Sequence, residues 1–173
     1  MLAYVFSHRP ARGVDIQAYE ESLRQFHAAL ADAAPSGFRS SSTFRTGDMF
    51  SDWYVLDSSA ALDVVNAAAV SGARAAVHDA AARMAADGVG KLLKLQAGEY
   101  FTGSRFEVRF AKPPGMGYAD LYARLQTWTG DPEVSLWRRM MVLGPPPEFT
   151  IITPSELELP ADMHPEVVRR EPI

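Results

Sequence analysis

The feature that most constrains this chain is a pattern that occurs in it twice. Val5, Arg9-Pro10 and Tyr19 recur 103 positions later as Val108, Lys112-Pro113 and Tyr122. After a one-residue gap the match continues, Leu23 onto Leu125 and Phe26 onto Trp128. Each copy is an extended apolar run, a cation-proline stop, a short loop and an amphipathic helix. A chain built this way holds two similar β-α openings, and the sequence divides into a first half, 1–101, and a shorter second half, 104–173.

The elements follow from periodicity. Leu2 to His8 alternates, with Ala3, Val5 and Ser7 on one face and Tyr4, Phe6 and His8 on the other, the period-two signature of a strand. Asp15 is placed to cap a helix whose stripe is Ile16, Tyr19, Leu23, Phe26 and Leu30, ending near Ala33. Phe38 to Arg45 reads as a second strand, Thr46 to Asp52 as a turn, and Trp53 to Leu56 as a short third strand. An alanine-rich helical region follows from about Ala60 to Ala86, broken near Ser71-Gly72 where helix propensity falls. Gly88-Val89-Gly90 is read as its stop, before a fourth strand at Lys91 to Gln96. The first half is thus β-α-β-β-α-β.

In the second half Phe106 to Phe110 and Tyr118 to Trp128 repeat the opening strand and helix. Leu136 to Leu143 and Phe149 to Ile152 are strands about a turn at Gly144 to Pro147. Thr153-Pro154-Ser155-Glu156 has the form of a capping box. Little chain follows it, so the expected last helix is a single turn, before a final strand at Glu166 to Arg170.

Composition then removes whole classes of function. Net charge is −4 with no cluster of basic residues, so nucleic acid is not an expected partner. The chain has no cysteine, which excludes thiolate catalysis and Cys-based metal sites. No pair of histidines has metal-ligand spacing, and no metal is expected. The opening MLAYVFSHRP lacks the basic region and small-residue cleavage site of a signal peptide. The apolar stretch around Ala60 to Ala86 is interrupted by Asp63, Asn66, Arg74, His78 and Asp79, too polar for a membrane span. A cytoplasmic protein without membrane contact is the expectation. Neither G-x-x-x-x-G-K-[ST] nor G-x-S-x-G is present, so PPGMGY and SSST carry no phosphate loop and no nucleophile elbow.

Two β-α-β-β-α-β units in one chain resemble the dimeric α/β-barrel superfamily. Its members include cofactor-free monooxygenases, stress-responsive barrel proteins, polyketide cyclases and haem-binding chlorite-dismutase relatives. The resemblance implies an α+β fold of two fused ferredoxin-like units, the second with a shortened last helix, forming a pseudo-dimeric barrel. A monomer or homodimer follows, because the duplication supplies an internal partner. One face of each strand then packs on helices and the other lines an interior. Tyr4, Phe6 and His8, aligned with Glu107, Arg109 and Ala111, are read as the lining face; Ala3, Val5 and Ser7, aligned with Phe106, Val108 and Phe110, as the helix-packing face.

On that reading Tyr4, Phe6, His8, Glu107 and Arg109 form a ligand site for a small aromatic compound. His8 would be a base near neutral pH, and Arg109 beside Glu107 an anion partner. The function expected is an enzyme of the cofactor-independent monooxygenase or cyclase type, with no cofactor. Its alternative is a non-catalytic binding or interaction module with a filled barrel. Haem, the minor alternative, needs an axial ligand, and His27 and His78 are the two to examine.

Overall fold

The computed structural model describes all 173 residues, Met1–Ile173. It is an α+β protein with antiparallel ladders, four α-helices and one short 3-10 turn. Two compact units divide at Leu92, inside a strand: Met1–Leu92 with Pro172–Ile173, and Leu93–Glu171.

The first unit contains β1 (Leu2–Pro10), α1 (Ile16–Asp32), β2 (Phe38–Thr46), β3 (Met49–Leu56), α2 (Ser59–Ala69), α3 (Gly72–Met84) and the opening of β4 (Ala85–Ala97). Its strands lie in the order β4-β1-β3-β2. Helix α1 starts where Asp15 predicts, the Asp15 carboxylate accepting from the Ala18 N–H at 2.9 Å. The break between α2 and α3 also falls as expected, and the two axes bend by 87°. Gly72, at φ +58°, takes the left-handed turn there. Arg74 secures the break by donating to the carbonyls of Ala68 and Ala33, which close α2 and α1.

In the first unit the largest departures from the sequence reading are at the starts of β3 and β4. β3 begins at Met49, four residues early, because Gly47-Asp48 alone makes a two-residue hairpin turn between the paired Thr46 and Met49. β4 begins at Ala85, so Gly88-Val89-Gly90 is strand and not a helix stop.

The second unit contains the rest of β4, then β5 (Phe106–Phe110), α4 (Tyr118–Thr129), β6 (Ser135–Arg139), β7 (Phe149–Thr153) and β8 (Glu166–Arg169). The strand order β8-β5-β7-β6 repeats the arrangement of β4-β1-β3-β2. Leu121 and Leu125 of α4 pack on Val108, Phe110, Phe149 and Ile151 in a closed apolar core. The turn of helix expected at the capping box does not form. Thr153 Oγ1 donates to the Ser155 carbonyl, and a 3-10 turn appears later, at Ala161–Met163. Leu157, Leu159 and Met163 occupy the face a helix would cover. β6 stops at Arg139, short of Leu143, leaving Met141 and Val142 exposed in the loop.

Candidate functional site

The helix-facing side of the first unit is built from alternate residues of two paired strands. Tyr4, Phe6 and His8 of β1 stand opposite Tyr54, Asp52 and Phe50 of β3. Six side chains therefore share one face. The rings lean along it: Tyr4 on Phe6 at 6.4 Å, Tyr4 on Tyr54 at 6.2 Å, His8 on Phe50 at 5.9 Å. α1 lays Tyr19, Leu23, Phe26 and Leu30 over them, and α2 and α3 add Val65, His78 and Ala81. These walls leave a cavity of about 230 Å³. Asn66 and Ala82, both exposed, belong to its wall, so the mouth lies on the α2 and α3 side.

One carboxylate stands in the middle of this aromatic face. Asp52 is buried, and its oxygens are shared among four groups. Thr43 Oγ1 donates to Oδ1 at 2.6 Å and Tyr54 Oη to Oδ2 at 3.1 Å. His27 Nε2 lies 3.3 Å from Oδ1 and His8 Nε2 lies 3.2 Å from Oδ2. Neither imidazole contact is aligned as a good hydrogen bond. Behind the rings, Tyr19 Oη meets His8 Nδ1 at 2.6 Å and Ser41 Oγ meets His27 Nδ1 at 2.6 Å. A carboxylate only accepts, so both nitrogens that face it carry hydrogen, and each Nδ1 is free to accept from its hydroxyl.

The electrostatics follow from this packing. Burial alone raises the Asp52 carboxyl, but His27 and His8 outweigh it and hold the group well below the usual carboxylate range. Burial, reinforced by the Asp52 charge, pushes the Tyr54 and Tyr19 phenols well above theirs. Burial raises Tyr4 as well. All three phenols therefore stay protonated, and Asp52 stands among them as a carboxylate.

Of the five expected ligand residues, the structure brings Tyr4, Phe6 and His8 together in the cavity wall. Their face is the one under the helices, not the one opposite, which corrects the sequence reading; Ala3 and Val5 are buried on the other side of β1. Glu107 and Arg109 belong to the second unit and contribute nothing to this wall. Arg109 Nε pairs with Glu107 Oε1 at 2.8 Å, on the face of β5 opposite Val108 and Phe110, which pack under α4. The cause is a shift of one in the repeat. With an offset of 102, as in Leu23 and Leu125, Phe6 falls on Val108 and His8 on Phe110; one residue of slip exchanges the faces.

Sequence reasoning missed Asp52, Tyr19, Tyr54 and Thr43. Asp52 was assigned to a turn, although an aspartate inside the run Met49 to Leu56, otherwise suited to a strand, is itself a signal: such a residue needs buried partners.

Haem, the minor alternative of the sequence analysis, needs both room and an axial ligand. The cavity is only modestly larger than the ~150 Å³ space that accepts benzene, far short of a porphyrin. His27 is held by Asp52 and Ser41. His78 faces the cavity but no second group stands ready for the propionates, since the wall contains no Lys or Arg. The residues do not suit haem.

No protein-family model matches the sequence, and no curated protein matches it. Solved structures do. One, a protein provisionally named a monooxygenase from Lactobacillus acidophilus, superposes with a TM-score of 0.61 at 11% identity, over 99% of this chain and 93% of that one. Another, provisionally named a chlorite dismutase, gives 0.56 at 10% identity, over 90% of this chain and 80% of the other. This chain shares their ferredoxin-like fold. At such identities the likeness speaks for fold alone. No single helix is long and apolar enough to cross a membrane.

Proposed function

We propose that this protein binds a small, mostly aromatic molecule in the cavity of its first unit and acts on it without a cofactor, in the manner of monooxygenase- or cyclase-like enzymes. The observation that carries the reading is an aromatic-walled cavity with the buried Tyr19–His8–Asp52 series in its wall. Pockets of this kind, apolar with a few convergent polar groups, are the usual form of a ligand site. An acidic ligand proton would pass to the Tyr19 oxygen as the Tyr19 proton passes to His8 Nδ1. The ligand anion and a His8 imidazolium beside Asp52 result, and no tyrosinate is left, in keeping with the raised Tyr19 phenol. The two units, with their common strand order, are read as a fused tandem that completes a barrel within one chain, in a cytoplasmic monomer or homodimer.

A ligand screen by melting temperature tests this. A compound that binds only the folded state raises the midpoint as its concentration rises. One- and two-ring aromatic alcohols are expected to do so, and His8→Ala to abolish any turnover found. No shift across the panel sinks the reading. A second reading, a carrier without catalysis, is favoured by the complete burial of His8 and Tyr19; it predicts binding with no chemical change in the recovered ligand.

A further inference from the structure

Glycine weakens a strand interior unless something needs to come close to the backbone. β4 carries two, Gly88 and Gly90, placed two apart and so on one face. Neither has a left-handed φ, so conformational freedom does not explain them. Their neighbours do. A Cβ on Gly88 would stand 2.5 Å from Cζ and 2.8 Å from Cε2 of Phe6. A Cβ on Gly90 would stand 2.6 Å from Oη and 2.8 Å from Cε2 of Tyr4. Both rings lie against bare backbone, and both are walls of the cavity. In the second unit the strand beside β5 offers no such space: Val108 is paired with Val167 and Phe106 with Arg169.

We propose that Gly88 and Gly90 are the specificity-determining residues of the site. By letting Phe6 and Tyr4 recline on β4, they set the width available to a planar ligand and fix its size at one or two fused rings. Side chains at 88 and 90 move those rings off the strand and into the space the ligand uses. The size class follows from a volume of about 230 Å³ set against the ~150 Å³ that holds benzene. The assignment rests on the small-molecule reading of the cavity given above.

The test uses phenol and 2-naphthol as probes, with binding followed by ligand-observed NMR titration and folding by circular dichroism. The wild type binds both. Gly88→Ala and Gly90→Ala weaken 2-naphthol by roughly tenfold or more, the scale of overpacking a closed site, and leave phenol nearly unchanged. Adding Phe6→Leu to Gly88→Ala restores 2-naphthol binding by returning the lost width. Folded alanine variants that bind both probes like the wild type overturn the proposal, as does a Phe6→Leu that restores nothing. Should the alanine variants not fold, Phe6→Leu alone decides: it must raise the preference for 2-naphthol over phenol, and an unchanged ratio overturns the assignment. A wild type that binds neither probe overturns the small-molecule reading itself, whereas binding indifferent to the glycines overturns only their role.

Discussion

The two units place different chemistry on the same frame. In the second, Phe110 stacks on Phe149, Val108 faces Ile151, and Leu121 of α4 closes over them. In the first, His8 stacks on Phe50, Phe6 faces Asp52, and Tyr19 of α1 takes the place of that leucine. Where the second unit has Phe110, Ile151 and Leu121 the first has His8, Asp52 and Tyr19, and beside the second unit's apolar cluster the first has a cavity. Burying a carboxylate costs several kcal/mol unless it is paired, roughly what a small domain has to spare. A fold that needed only stability had the second unit's solution at hand. The two units thus bury different things on one frame, a hydrogen-bonded carboxylate in the first and an apolar cluster in the second.

The comparison breaks most visibly at Asp52. Asp52→Ala leaves His8, His27, Thr43 and Tyr54 without their common acceptor, and is expected to lower stability by about 3–5 kcal/mol, the cost of orphaning buried partners. Chemical denaturation measures it. A loss under about 1 kcal/mol, the range of an exposed pair, would mean that the cluster is solvated and the contrast with the second unit is superficial.

A transplant sharpens the same contrast. The triple variant His8→Phe, Tyr19→Leu and Asp52→Ile gives the first unit the second unit's residues. It should recover on the order of 1–2 kcal/mol relative to Asp52→Ala, because apolar replacement removes the charge along with its partners. It should also lose every ligand-induced rise in melting temperature. Retained binding in the triple variant would show that the polar series has no part in the site.

Acid separates the units next. The Asp52 carboxyl is held below its unfolded value by His27 and His8 against the opposing effect of burial. Its contribution is therefore complete above the ordinary aspartate value, about 3.9, and is lost as pH falls from there through the depressed folded value. The stability gap between wild type and Asp52→Asn should narrow as pH falls below about 4. A gap that keeps its size or widens below that pH contradicts the assigned charge state.

What the sequence showed and what it hid divide along the same line. The strand β1, the cap at Asp15, the helix break at Gly72 and the order of elements were legible, because each rests on local period or local turn chemistry. The site was half legible. Tyr4, Phe6 and His8 stood out as an aromatic face, but which way they point depends on register, and the 103-residue alignment chose the wrong side. Asp52 was misread because its partners come from β1, α1 and β2, and without them in view an aspartate reads as a turn. Gly88 and Gly90 read as a helix stop for the same reason: their purpose is the rings of Phe6 and Tyr4, over eighty residues away in the sequence.

The smallest effect tests where the cavity ends and its support begins. Ser41 is half-buried on β2 and meets His27 Nδ1 at 2.6 Å, and neither residue is part of the cavity wall. Ser41→Ala removes one hydrogen bond at the rim of the cluster, so stability should fall by about 1 kcal/mol or less. Binding of a two-ring alcohol should not change, because His27 reaches the ligand only through Asp52, which keeps Thr43, Tyr54 and His8. Measured together, the two values discriminate. A stability loss without a binding change makes His27 and Ser41 the far support of Asp52, as Leu121 and Leu125 support the second unit's core. A binding change as large as that of His8→Ala would extend the site through the carboxylate to β2, and the cluster would then be one functional unit from Tyr19 to Ser41.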